Sequence, residues 1–382
     1  MKKDEKKILV LGTGKMGRHY IDNMQNKLGV DPARIVGVDI HQGRLVSLAE
    51  EFPAISFVRS RIDRPLASFV DFNAIGSVFL CTNTPSHHRL LGELMESGAN
   101  KIFCEKPLAL NIYGVNDVRK AKMRTGSHIF TAFLMNFSPA VMHLIERMRA
   151  EDLVLVQGDA SWGKNRFYDS RPTPGDLEDE SVHPIGVFHT LLHASQQEID
   201  GIYVGARLSW LDYIDPEVQR KAHADDSSFP LVVNSSSFIN EELRSASIPF
   251  PVLLHTTSSY VMGKQVRRVC CTLAKRDNPI RPVLAIEFNF DTKEGDVLEV
   301  TRLQEKAVEE MLNFRSDKVA AETKAFLNLV ETGVRDPRLT GYLEARMSVK
   351  VTDAIMQSDQ QGGAIVQAVG EEDVALRKVM NG

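Results

Sequence analysis

The sequence predicts two domains: an α/β, doubly wound parallel sheet over residues 1–128, and an α+β domain with a large, mostly antiparallel open sheet over residues 129–382, whose C-terminal helices could pack back on the first domain. Three observations predict this. The chain has 382 residues, more than a single hydrophobic core usually serves. Its first third alternates continuous apolar runs with apolar residues spaced four apart, the pattern of buried parallel strands and crossover helices. After Ser138-Pro139 the pattern becomes period-two segments joined by short turns, as in antiparallel sheets.

The elements follow in order. "KILVLG" (7–12) reads as a strand buried on both faces. Met16, Tyr20, Met24 and Leu28 then mark one face of a helix that Gly29 ends. "RIVGVD" (34–39) is the next strand, and Leu45, Leu48 and Phe52 mark its helix. "GSVFLCTN" (76–83) is another buried strand, followed by a helix carrying Leu90, Leu91, Leu94 and Met95 that stops at Gly98. "KIFC" (101–104), a helix capped by Asn111 and a strand "HIFTAFL" (128–134) complete the first domain. Repeated strand–helix units of this length imply right-handed crossovers. A helix over 139–149 opens the second domain, where Pro139 suits a first helical turn. Strand patterns follow in "LVLVQGDASWG", "IYVGARLSWLDY", "VLLHTTSSYVM", "QVRRVCCTLA", "VLAIEFNFD" and "VLEVTRL", and helical patterns return at 318–332 and 340–356.

Composition narrows the function. With 43% hydrophobic and 25% charged residues this is an ordinary globular chain. Lys plus Arg (46) nearly balances Asp plus Glu (50), giving net charge −4 and no basic footprint for nucleic acid. The apolar run Ile8–Leu11 is too short for a signal peptide, and no stretch approaches the roughly 20 residues of a membrane span. Four cysteines without metal spacing fit a reduced, cytoplasmic protein, and no metal site is expected.

"GTGKMG" places Gly12, Gly14 and Gly17 in a G-x-G-x-x-G pattern that follows a buried strand and opens a helix. That context marks a Rossmann dinucleotide fold, with the phosphates aimed at the helix N-terminus. Asp39 ends the second strand where a ribose-binding acid is expected, which favours NAD over NADP. Arg44 lies nearby and could pair with a 2′-phosphate instead, and Asp39 could also simply cap a helix. Thr82, Asn83 and Thr84 fall at the carboxyl edge of the sheet, where ligands of open α/β folds bind. His87 and His88 read as surface or packing residues of the following helix.

Three segments, "GTGKMG", "CTNTPSHH" and "CEKPLAL", together resemble the N-terminal half of the glucose–fructose oxidoreductase/inositol dehydrogenase/rhizopine catabolism (Gfo/Idh/MocA) family. "GDLEDESVHPIGVFHTLL" resembles its substrate helix, with an Asp-x-x-x-His pair at Asp179 and His183. "AFLMNFSPA" resembles its hinge strand, and "ARMSVKVTDAIMQSDQQGGAI" its last long helix. The resemblance implies hydride transfer between a nicotinamide and a hydroxyl-bearing carbon of a sugar, amino sugar or cyclitol. It also implies a homodimer or homotetramer. The expected cofactor-binding residues are Gly12, Gly14, Lys15, Met16, Gly17, Asp39, Thr82, Asn83, Thr84, His88, Glu105 and Lys106. Relatives that keep the nicotinamide bound make a redox-neutral sugar oxidoreductase or a glycosidase an alternative. A non-catalytic dinucleotide-binding regulator is another.

Oxidising a secondary alcohol needs a group to take the hydroxyl proton, best one titrating near neutrality. Lys106 leaves a strand at the carboxyl edge of the sheet, and His183 has a suitable unperturbed pKa. Asp179 shares a face with His183 if the segment is helical and would orient it or hold a second hydroxyl. The reading assigns proton acceptance to His183 and binding of the reacting oxygen to Lys106, with the reverse also open. The family's usual glycine after the aspartate and its second aspartate after the histidine are here Ser181 and Gly186, and its hinge arginine is replaced around Asn136. In "WGKNRFYDSRPTPGD", Lys164, Arg166, Tyr168 and Arg171 could meet a charged substrate, and Trp162 and Tyr168 could stack on a sugar or pack the core. Asn136, Trp162, Arg166 and Tyr168 join Lys106, Asp179 and His183 as candidate substrate contacts.

Overall fold

Period-two geometry divides the apolar run of β1 (Lys7–Leu11) between two cores. Ile8 and Val10 enter one, and Leu9 and Leu11 enter the other. A strand buried on both faces needs helices on both sides of its sheet, and the rest of the first domain supplies them. A computed structural model of the chain describes residues 6–61, 63–165, 176–211, 233–245, 248–370 and 372–373. Its contacts divide the chain into two units, Met1–Phe137 with Asp317–Val349, and Ser138–Ser316 with Lys350–Gly382.

In the first unit β1 pairs in parallel with β2 (Ile35–Asp39) and β4 (Ile75–Leu80). The sheet extends through β3 (Ser56–Arg59) on one side and through β5 (Lys101–Cys104) and β6 (His128–Thr131) on the other. A two-residue strand β15 (Thr340–Gly341) adds antiparallel to β6. The parallel part thus has the doubly wound order 3-2-1-4-5-6, which reverses between β1 and β4 and opens a ligand crevice there. Helices α1 (Lys15–Asp22), α2 (Gln42–Glu51), α3 (His87–Glu96) and α4 (Ile112–Thr125) connect these strands.

Three details differ from the pattern read in the sequence. The expected strand over 128–134 stops at Thr131, and Leu134–Phe137 forms a 3₁₀ turn instead. The domain boundary drawn after residue 128, unlike the change of pattern at Ser138-Pro139, falls inside β6, a member of the first sheet. β3 was not evident because it is an edge strand with no fully buried residue, so it lacks a buried apolar run.

The later helix at 318–332, α7 (Lys318–Thr332), belongs to the first unit by position. Its Phe326 is fully buried against Phe79 (ring centroids 5.1 Å apart), Phe103 (5.3 Å) and Phe130 (6.0 Å). Tyr20 completes this aromatic cluster against Phe79 at 5.2 Å. On the opposite face Tyr342, Ala345 and Val349 pack with α3 and α4.

The second unit is a nine-stranded sheet, β14-β13-β12-β11-β7-β10-β9-β8-β16. Its strands are β7 (Leu153–Asn165), β8 (Ile199–Leu211), β9 (Val233–Ser245), β10 (Val252–Ser259), β11 (Val261–Lys275), β12 (Asn278–Thr292), β13 (Gly295–Arg302), β14 (Ala307–Phe314) and β16 (Val366–Val369). All neighbours are antiparallel except β7 and β10, which pair in parallel. Helices α5 (Pro139–Ala150) and α6 (Val182–Ala194) cover one face. The alternation of buried and partly exposed residues along β12 and β13 leaves the other face accessible. The last long helix, α8 (Tyr342–Gln360), crosses the boundary between units along the chain. No described helix is long and apolar enough to cross a membrane.

Removing the Phe326 ring should open a cavity that three aromatic neighbours cannot fill. Phe326→Ala is expected to cost about 3–5 kcal/mol in urea unfolding followed by a probe in the first unit. A loss below about 1 kcal/mol would show that α7 contributes little to this core.

Candidate active site

The first unit brings three loops to the carboxyl edge of its sheet. Between β1 and α1 the chain turns through Gly12 at φ +87°, a left-handed conformation that favours glycine. A Cβ on Gly17 would stand 2.0 Å from the Gly12 carbonyl oxygen, so only glycine lets α1 start this close to β1. Gly14 is the N-cap of α1, no side chain caps that end, and a Cβ there would meet nothing within 4 Å. A helix N-terminus opened by a glycine with space around its Cα forms an anion cradle that fits a pyrophosphate. Lys15 is exposed and Met16 half-buried in the first turn of the same helix.

Asp39 closes this turn from the end of β2. Its Oδ2 accepts from Thr13 N (2.7 Å), Thr13 Oγ1 (3.0 Å) and Arg44 Nη1 (2.9 Å), and its Oδ1 accepts from His41 N (3.0 Å). The side chain is only 4% exposed. Burial alone would raise its pKa, but the His41 and Thr13 amides and the Arg44 guanidinium outweigh it and hold the carboxyl below its usual range. Asp39 therefore anchors the glycine turn from the end of β2.

The second loop follows β4. Thr82 is half-buried, Asn83 exposed, Thr84 buried and His88 half-buried. His87 is buried, with Nδ1 2.8 Å from Pro107 O and Nε2 3.0 Å from Thr82 O. It thereby ties this loop to the third one, a positioning role that a histidine in a first helical turn gave no cue to.

The third loop carries Glu105 and Lys106 after β5, and the Lys106–Pro107 peptide is cis. Lys106 is half-buried. The Tyr20 hydroxyl donates to Glu105 Oε1 at 2.7 Å, and Lys106 N donates to Oε2 at 3.3 Å. Burial, with the charges of Glu105 and Glu322 added, pushes the Tyr20 phenol well up, so it stays a proton donor. Glu322 of α7 is 1% exposed and accepts from Phe133 N at 2.9 Å. Burial and the neighbouring Glu105 push its carboxyl well above the usual range. Tyr20 and Glu322 were not among the expected site residues, since one reads as a helix-stripe aromatic and the other as a surface acid. Asn136, expected near substrate, donates through Nδ2 to Thr340 Oγ1 (3.1 Å) and Arg338 O (3.4 Å), within the first unit.

In the second unit His183 opens α6, half-buried, with its ring stacked on the fully buried Trp162 (centroids 5.6 Å, interplanar angle 28°). Phe290 packs on the same indole at 5.7 Å, and the Arg267 guanidinium lies 5.7 Å from its centre. A helical turn of π type, Leu177–Ser181, precedes α6 and contains Asp179, whose side chain lies outside the described part. In that turn Glu180, 1% exposed, pairs with Lys164. Asp176 accepts hydrogen bonds from Ser237 and Ser258. Further along α6, His189 Nε2 lies 3.1 Å from Glu241 Oε2. Arg166, Tyr168 and Arg171 lie outside the described residues.

A doubly wound sheet with an uncapped glycine turn at its switch point defines a dinucleotide-binding protein of the Rossmann type. Residues 6–133 match the model of the oxidoreductase family with an NAD-binding Rossmann fold, Gfo/Idh/MocA. The chain is 26% identical over 199 residues to inositol 2-dehydrogenase/D-chiro-inositol 3-dehydrogenase of Shouchella clausii, a match covering 51% of this chain and 55% of that protein. The chain thus spans about half the length of that relative. Its fold is that of the aldose–aldose oxidoreductase from Caulobacter crescentus (TM-score 0.68, 14% identity, 95% and 99% of the two chains covered). It is also that of an oxidoreductase from Agrobacterium radiobacter, whose structure is a complex with NAD+, L-tartaric acid and magnesium (TM-score 0.69, 13% identity, 95% and 98% covered). Residues 6–133 thus carry the NAD-binding Rossmann fold of the Gfo/Idh/MocA oxidoreductase family, and the whole chain is similar in fold to the two oxidoreductases named.

Two consequences are measurable. Gly17→Ala should push α1 off the turn and abolish NAD+ binding in calorimetry, whereas unchanged affinity would refute the close approach. Asp39→Ala should cost about 1–3 kcal/mol at neutral pH, since it leaves the buried Thr13 donors unsatisfied. Because the folded carboxyl has the lower pKa, its stabilisation is full above the ordinary value of about 4 and disappears as pH falls through the folded value. The stability gap between wild type and variant should therefore close in acid.

Proposed function

We propose that the protein is an NAD(P)-dependent dehydrogenase that moves hydride between the nicotinamide and a secondary hydroxyl or ketone of a sugar, amino sugar or cyclitol. The observation that carries the reading is the position of Lys106, immediately after β5 at the same sheet edge as the uncapped glycine turn. The inositol dehydrogenase named above supports the substrate class. When bound, the dinucleotide supplies the hydride acceptor. His183 then takes the hydroxyl proton, Lys106 binds the reacting oxygen, and Asp179 orients His183 or holds a second hydroxyl. Stacking on Trp162 limits the orientations open to the His183 ring, as proton transfer requires.

Cytoplasmic placement is part of the same reading, supported by four free cysteines among the described residues. So is self-association through the uncovered face of the nine-stranded sheet, which presents Phe238 (51% exposed), Leu253 (46%) and Met311 (62%) with charged Arg268 and Glu287. Light scattering should give roughly two or four times the 42.7 kDa chain mass. A monomer at micromolar concentration would end that part of the reading.

Absorbance at the reduced nicotinamide band, screened over sugars, sugar phosphates and inositols, tests the activity. Lys106→Ala and His183→Ala should each lower turnover by about 100-fold or more while NAD+ binding persists. Near-normal turnover in both would reject the assignment, and reduced nucleotide that never leaves the protein would favour redox-neutral chemistry.

A further inference from the structure

Two residues at the start of α6 dock on two neighbouring positions of the nine-stranded sheet. Ser258 of β10 is the register partner of Trp162 on β7, and both side chains are fully buried on the face that α6 covers. Paired strands lie about 4.8 Å apart. His183 stacks on Trp162, and Ser181, the last residue of the π-type turn, meets the Ser258 hydroxyl.

The hydroxyls have a fixed direction. Ser258 gives its single hydroxyl hydrogen to Asp176 Oδ2, so Ser181 is the donor to Ser258. Asp176 is the N-cap of the same turn, yet its side chain makes no capping hydrogen bond. An aspartate at that place ordinarily caps the helix, and this one is turned to the sheet instead. The turn is thus fastened at both ends through one hydroxyl of β10. Asp176, Ser181 and Ser258 are all 0% exposed, where hydrogen bonds gain most from the low local dielectric. Ser237 of β9 donates to the same Asp176 oxygen at 3.1 Å, but it stands on the side of Ser258 away from Trp162 and does not touch the turn through Ser181.

We propose that Asp176, Ser258 and Ser181 are positioning residues, whose hydrogen-bond chain sets His183 on Trp162 for proton transfer. Glycine, which the family resemblance would place at 181, has no hydroxyl to start the chain, so the device belongs to this sequence. The catalytic use of the chain rests on the reading of His183 as proton acceptor, and the docking of the ring does not.

Emission from Trp162 tests the docking without turnover. A charged imidazole stacked on an indole quenches it, whereas a neutral one does so weakly. The full chain carrying Trp210→Phe lacks its other tryptophan, which is 44% exposed. Its emission should fall in a step on acidification through the ordinary histidine range, and His183→Gln should abolish the step. Ser181→Ala, which leaves the Asp176–Ser258 bond in place, should shrink the step by about half or more, the effect of losing one buried hydrogen bond between two ring positions. Ser258→Ala should do the same from the sheet side, and Ser237→Ala should keep the step. With an oxidisable polyol, Ser181→Ala should lower turnover about fivefold or more while the KM for NAD+ is unchanged. A step absent from the parent, a step unmoved by both Ser181→Ala and Ser258→Ala, equal loss in Ser237→Ala, or unchanged turnover with the step reduced overturns the positioning role. If the step responds as stated while no polyol is turned over, the hydride-transfer reading fails and the docking stands.

Discussion

The carboxylate of Asp39 joins parts of the first unit that the chain itself keeps apart. It sits at the carboxyl end of β2, yet its donors come from the β1–α1 turn, from the N-cap of α2 and from α2 itself. Burying the charge is costly unless donors meet it, so these donors hold the segments they belong to around the carboxylate. The left-handed Gly12 and the contact of Gly17 with the Gly12 carbonyl are the steric half of the same constraint. Carboxylate and glycines together hold the N–H groups of α1 open at the switch point of the sheet, and the nucleotide site depends on that.

A comparable arrangement supports the loop that carries Lys106. Glu105 is fixed by the buried Tyr20 hydroxyl, and Glu322, arriving from α7, holds the Phe133 amide just past β6. His87 spans from Thr82 to Pro107 and joins the two loops that flank the crevice. Burial and the neighbouring Glu105 push both the Tyr20 phenol and the Glu322 carboxyl well above their usual ranges. Lys106 thus stands on a polar framework drawn from α1, β4, β5 and α7, and its geometry is set far from its own sequence neighbours.

The second unit orients His183 by different means. Trp162, from the end of β7, gives the imidazole a flat apolar wall, and the buried pair Lys164–Glu180 pins the preceding turn to the same strand. Lys164, a cation that composition alone would assign to solvent or substrate, is held by a carboxylate that is almost completely buried. The aromatic wall and the ion pair both come from alternate residues of one strand face.

The sequence by itself determined the elements whose signal is local. Continuous apolar runs marked β1, β2, β4 and β5, and period-two segments marked most of the second sheet, because a strand's burial is written in its own side chains. The glycine spacing and the acid at Asp39 identified the nucleotide turn, because the fingerprint is a short contiguous device. Edge strand β3 and the serine-rich β9 escaped, since partial burial leaves no apolar run or clean alternation to read. Only the tertiary structure decided that Phe326 of α7 packs against Phe79, Phe103 and Phe130, that Asp39 gathers four donors, and that Tyr20, His87 and Glu322 support the Lys106 loop. Each of these depends on which distant segment meets a buried group, and residue order does not encode that meeting locally.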